Sequence, residues 1–139
     1  MKITYDLLDI KFRKYNREYF NSELPVPRFT IINSYYPFAE FRCNKPIGNR
    51  RIQKAEIRFT AYIDFSESQF RDILVHEMIH YYLVYKNIDR TFKHNKKFKE
   101  MINCFNEKYE LNMQVKGNIW KYKRQKNAPR FGWFLAHII

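Results

Sequence analysis

At 139 residues the chain has the length of one domain with a real core, and its 45% apolar and 19% aromatic content excludes a disordered polymer. Lys and Arg number 26 against 14 Asp and Glu, and the formal charge of +12 draws a protein toward polyanions, chiefly nucleic acid; the bland alternative is a generic basic surface. Two cysteines far apart, Cys43 and Cys104, exclude a disulfide framework and a cysteine-rich metal module, and they fit a reducing compartment. Met1 to Phe20 is charged throughout, without the apolar centre of a secretion signal, and no segment approaches membrane-spanning length. The expected setting is cytoplasmic, with no membrane partner.

Taken in order, the chain predicts an α+β domain. Thr4 is a candidate N-cap with Asp6 in the first turn, and Tyr5, Leu8, Phe12, Tyr15 and Tyr19 share one helical face, so a first helix is expected to about Phe20. Asn21-Ser22 stops it, and Pro25 and Pro27 force extended backbone. Phe29 to Ile32 reads as a strand, and Phe38 to Cys43 as a second one pairing with it after a turn at Tyr35-Tyr36-Pro37. Asn44 to Arg50 is a breaker-rich loop with Pro46 and Gly48, before a third strand that ends near Phe59. Ser66 followed by Gln69 forms a capping-box pattern that opens a helix over roughly 67–86, with an apolar stripe of Phe70, Ile73, Leu74, Met78 and Tyr81. A third helix carries Phe98, Met101, Ile102, Phe105 and Tyr109 on one face. Beyond Leu111 a β-rich tail is expected from Met113, Val115, Ile119, Trp120 and Tyr122, with a turn at Ala128 to Trp133. The sheet is thus expected to be small, three-stranded and mostly antiparallel. One domain spans 1–139, with a core over 1–111 and a basic, aromatic tail over 112–139.

Within the second helix stands His76-Glu77-Met78-Ile79-His80. Positions four apart lie one above the other on a helix, so the two imidazoles project from one face as half of a tetrahedral zinc site, and Glu77 is placed to act as general base toward a metal-bound water. Glu77 falls inside the apolar stripe, where a carboxylate is costly without a partner. The bland reading is two helix histidines packed beside the core. A catalytic zinc needs a third protein ligand. A histidine six residues past the second is excluded, because Lys86 stands there. Glu100 and Glu107 are alternatives, and His137 is a remote one. His94, four residues before Phe98, is favoured because it falls on the inward face of the third helix.

These residues carry a resemblance. His76 to Leu83, followed by His94 to Met101, resembles the SprT family, which includes the Spartan proteases: H-E-M-I-H with an aromatic and Leu, then H-G-x-x-F with a Met three residues on. Upstream, Tyr19 to Pro25 is similar to the family's F-N-x-x-L segment, and Ile57-Arg58-Phe59 to its strand before the metal helix. Asn95 stands where the family has glycine, and asparagine is the next-best residue for a left-handed backbone. The family's four-cysteine zinc ribbon has no counterpart, and Trp120 to Phe134 occupies its place. The resemblance implies a zincin-like minimal fold and a zinc peptidase acting on protein or peptide substrates. In it His76, His80 and His94 hold Zn2+ and Glu77 deprotonates its water.

The basic excess concentrates between Lys86 and Arg130, where the only acids are Asp89, Glu100, Glu107 and Glu110. Lys116, Trp120, Lys121, Tyr122, Lys123, Arg124, Lys126 and Arg130 mix cations with aromatics, a composition that grips single-stranded nucleic acid by stacking and phosphate contact. Plain strand alternation, aromatics inward and lysines to solvent, is the competing account. Spartan-like proteases act on proteins bound or crosslinked to DNA, so the resemblance extends the expected partners to DNA. The competing function is a basic DNA-binding or scaffolding protein with a structural or vestigial zinc site.

Overall fold

The computed structural model describes residues 1–44, 51–117 and 121–130. Helix α1 spans Tyr5–Tyr19 and strand β1 Arg28–Ile32; β2 follows at Ala39–Asn44, β3 at Gln53–Thr60 and the short β4 at Ile63–Asp64. Helix α2 covers Glu67–Tyr85, helix α3 Lys96–Tyr109, and the two-residue β5 Lys123–Arg124.

Local chemistry accounts for the helix starts. The Thr4 side chain accepts from the Leu7 amide at 3.1 Å, and Ser66 with Gln69 forms both bonds of a capping box. Each such cap is worth about 1 kcal/mol. Helix α2 closes at Asn87, which adopts a left-handed φ of 56°. There the Asn87 amide reaches Val84 O at 3.0 Å and the Ile88 amide reaches Leu83 O at 2.8 Å, the bond pair that ends a helix at a left-handed residue.

The three-stranded sheet has the order β1-β3-β2. Strand β1 runs parallel to β3 and β2 antiparallel to it, so the sheet is mixed, and the expected pairing of the first strand with the second does not form. The chain instead crosses the end of β3 between them. Ile32 O accepts from the Ala61 amide at 2.9 Å and Phe38 O from the Thr60 amide at 2.8 Å, while the Thr60 hydroxyl donates to Ser34 O at 2.5 Å. These bonds satisfy the crossing segment and leave the middle position to β3, whose Ile57, Phe59 and Thr60 are buried.

Helix α2 is the central element. Its buried residues run from Phe70 to Val84 around much of its circumference, as expected of a helix enclosed by other elements. Phe41 of β2 stacks on Tyr81 at 4.9 Å, and Tyr81 on Phe12 of α1 at 6.4 Å. Each aromatic side chain buried in this way contributes roughly 1.5–3 kcal/mol. Exposed Tyr5 is the one residue of the expected α1 face that stays in solvent.

The expected β-rich tail is mostly irregular over its described residues. Only β5 pairs, antiparallel to β4, while Met113 and Val115 lie outside any strand. Ile119 and Trp120, the Pro46–Gly48 loop and the second half of the turn expected over Ala128 to Trp133 lie outside the described residues. The tail nevertheless packs on the core. Met113 and Ala128 are buried, the Gln125 side chain donates to Met1 O at 2.6 Å, and the Tyr35 hydroxyl donates to Pro129 O. Among the described residues no helix is long and apolar enough to cross a membrane.

Candidate metal centre

His76 and His80 sit one turn apart on α2, and His94 meets them from the loop before α3. The three ring centroids form a triangle with every side 5.2 Å. One potential ligand atom from each ring lies within 4.8 Å of the others, an arrangement that could hold a metal ion. Nitrogens around a tetrahedral zinc stand roughly 3.4 Å apart, so closing onto one ion asks for at most about 1.4 Å of relative movement. A three-nitrogen set with a carboxylate beside it suits zinc chemically.

His94 reaches this point by a route the helical spacing did not describe. Helix α3 starts at Lys96, so His94 precedes it, and Asn95 is the N-cap. Asn95 has φ −87° and ψ −170°, extended rather than left-handed, as its N-cap role requires. Its side-chain carbonyl accepts from the Phe98 amide at 3.2 Å, and its side-chain amide group donates to Asp89. Asp89 in turn accepts from the Thr91 amide at 3.0 Å and hydroxyl at 2.8 Å. This polar knot joins the end of α2 to the start of α3 and carries His94 to the metal side.

Phe98 is the floor of the site. It is fully buried, with its ring 4.1 Å from His80, 4.8 Å from His94 and 4.9 Å from His76. Sequence reading placed it on the α3 stripe without seeing this role; its position four residues after His94 was the available signal. Glu100 and Glu107 are both exposed, Glu100 lying 4.0 Å from Lys96. His137 lies outside the described residues.

Burial dominates the electrostatics. It lowers His76 to about 4 against an opposing hydrogen bond to Gln114, and lowers His80 to about 3 with help from the neighbouring His76 and His94. His94 is also lowered, by burial and then by Lys116 and Lys99. All three rings are therefore neutral at pH 7, the form that binds metal. His76 Nδ1 lies 2.9 Å from Gln114 O. A carbonyl only accepts, so Nδ1 carries the proton and Nε2 keeps its lone pair for a ligand. Glu77 Oε2 lies 3.8 Å from that Nε2. Burial, reinforced by Glu40, raises Glu77 to about 8 despite a hydrogen bond from the Phe41 amide.

The site opens into a cleft of about 690 Å³. It is lined by Phe38 and, from β2, Glu40 and Phe41, and by Gln114, Gly117 and Tyr122 of the tail, which closes against the Phe38 ring. A Cβ at Gly117 would stand 2.2 Å from the tip of the Phe38 ring, so a side chain there requires that ring to shift.

Of the residues expected to meet nucleic acid, Lys116, Lys121, Lys123, Arg124, Lys126 and Arg130 are exposed. Tyr122 turns inward between its lysines, 5.5 Å from Phe38 and 5.4 Å from Phe65, which is the alternating arrangement. Arg124 donates to the carbonyls of Gln125 and Ala128 and so braces the tail turn. Trp120 lies outside the described residues.

Fold and site define a class: a small α+β domain in which three histidines that could hold a metal ion converge from one helix and the loop that leads into the next. Within that class the chain belongs to the SprT-like family, whose model matches residues 8–117. No curated protein matches the sequence. The family match ends at Gly117, before the cations of Lys121 to Arg130.

Proposed function

We propose that this protein is a zinc-dependent peptidase whose substrates are DNA-bound or DNA-crosslinked proteins, working inside the cell as a single unit of core and tail. The carrying observation is the equilateral set of three rings with Glu77 beside the His76 Nε2, lining a cleft of about 690 Å³. His76, His80 and His94 would hold the zinc. When bound, zinc supplies the Lewis acidity that makes hydroxide accessible near neutral pH and polarises a carbonyl.

The chain's own residues supply the rest. With a cation held by the neighbouring imidazoles Glu77 would stand ionised despite its burial, taking a proton from the attacking water at its carboxylate and returning it to the leaving amine. The Phe41 amide fixes where that carboxylate points. Because Phe38 O bonds to Thr60 of β3, antiparallel geometry turns the backbone groups of Ala39 and Phe41 away from β3. Among the described residues no strand is hydrogen-bonded to that outer edge of β2, which borders the cleft. An extended peptide adds there as a further strand, which favours peptide bonds over other hydrolysable groups. The exposed cations Lys116, Lys121, Lys123, Lys126 and Arg130 favour a phosphate backbone as the neighbouring partner.

Cleavage of a DNA-bound protein by wild type and by Glu77→Gln tests the reading. The variant is expected to keep one zinc per chain and to lose activity by about 10²–10⁴-fold, the size of a general-base contribution. Equal cleavage by both overturns the peptidase assignment. A zinc-loaded wild type that binds DNA with steep salt dependence yet cleaves nothing would establish the DNA-binding or scaffolding reading instead.

A further inference from the structure

His76 is oriented from outside the helix pair. Its Nδ1 partner, Gln114 O, belongs to an irregular segment after α3. Such a carbonyl is a dependable orienting group only if something holds its backbone. Asn106, on α3, does so with both ends of its side-chain amide. Its Nδ2 donates to Met113 O at 3.0 Å, and its Oδ1 accepts from the Met113 amide at 2.8 Å. These are the two bonds a neighbouring strand would make, supplied here by one side chain seven residues away. Met113 and Leu111 are buried, which seats the segment against the core. The Gln114 side chain is exposed, so the residue meets the site through its backbone.

We propose that Asn106 is a positioning residue of the metal centre. By clasping Met113 it sets the direction of the Gln114 carbonyl, which holds His76 in the Nδ1–H tautomer with Nε2 turned toward His80 and His94. The inference rests on the reading of His76 as a metal ligand. It differs from a plain α3-to-tail staple, which would support folding without touching the tautomer. Outer groups of this kind typically govern roughly 10–100-fold in metal affinity.

The test uses the full chain and its Asn106→Asp and Asn106→Ala variants, with His76→Ala and Asn16→Ala as controls. Zinc affinity is measured by competition with a chromophoric chelator. The His76 tautomer is read in the metal-free protein from long-range nitrogen–proton correlations of the ring. Asn106→Asp keeps the acceptor for the Met113 amide but sets a carboxylate oxygen against Met113 O, so it decides the matter if the alanine variant fails to fold. The expected result is a loss of about 10–100-fold in zinc affinity, together with loss of the pure Nδ1–H form, while Asn16→Ala keeps wild-type affinity. Wild-type affinity and an unchanged tautomer in a folded Asn106 variant overturn the proposal. If His76→Ala binds zinc as well as wild type does, the ligand reading itself fails and the inference falls with it, an outcome told apart because it appears with Asn106 intact.

Discussion

Two asparagines in this molecule make the same pair of bonds. Asn16 of α1 clasps Leu24, donating to its carbonyl at 2.8 Å and accepting from its amide at 3.2 Å. Asn106 of α3 clasps Met113 at 3.0 and 2.8 Å. In each case the side-chain amide catches the chain seven or eight residues after itself, where it has just left the helix. What lies beyond the clasp differs. Past Leu24 comes Pro25, whose carbonyl accepts from the Tyr81 hydroxyl at 2.8 Å, and then β1; the buried Asn16 therefore fixes core packing. Past Met113 comes the carbonyl on His76. Identical local chemistry serves the core in one place and the site in the other, and the neighbour one residue further on decides which.

That contrast can be broken by experiment. The largest effect belongs to the site: His94→Ala removes a third of the donor set and should weaken zinc binding by more than the roughly 10–100-fold of an outer-group loss. Zinc per chain after dialysis reads it, and full retention of the metal would mean that another group completes the site.

Next comes the core. Asn16→Ala leaves the Leu24 amide and carbonyl buried without partners and should lower stability by about 1–3 kcal/mol, visible as a lower urea midpoint. Zinc affinity should stay at the wild-type value; a fall matching that of Asn106→Ala would erase the distinction between the two clasps.

The third effect is a pH profile that only the site end produces, since the Asn16 clasp has nothing to titrate. In the metal-free protein His76 and His80 sit at about 4 and 3, below the ordinary 6.5, so below pH 6.5 the unfolded chain takes up protons that the folded one refuses. Glu77, raised to about 8 from 4.5, works in the opposite sense. Between pH 4.5 and 6.5 these two histidines outweigh one carboxyl, and stability falls on acidification by at least about 1.4 kcal/mol per pH unit, the lowered His94 adding in the same sense. Between 6.5 and 8 Glu77 acts alone, and stability falls as pH rises. Urea unfolding of the metal-free chain should therefore peak near pH 6.5, and a profile flat from 5 to 8 would contradict the burial of these groups.

Much of this architecture was legible in the order of residues. The Ser66–Gln69 capping box, the α2 stripe and the four-residue spacing of His76 and His80 are encoded within one or two helical turns, where spacing alone determines which side chains share a face. His94 does lie beside His76 and His80, but from the loop before α3, which begins at Lys96, rather than from the inward face of that helix. Asn95 shows the limit of such reasoning. Its type suited a left-handed turn, but an N-cap role with Asp89 waiting opposite drew it to extended backbone.

The sequence by itself determined the three helices, the strands of the main sheet, the buried stripe and the imidazole chemistry of the candidate site, because these depend on periodicity and side-chain type over short separations. Only the tertiary structure decided that β3 lies between β1 and β2, that Phe98 underlies all three rings, and that a carbonyl thirty-eight residues from His76 sets its tautomer. Those are contacts between distant segments, selected by how the packed surfaces meet, and backbone groups such as Gln114 O are present in every residue and so leave no mark in the sequence.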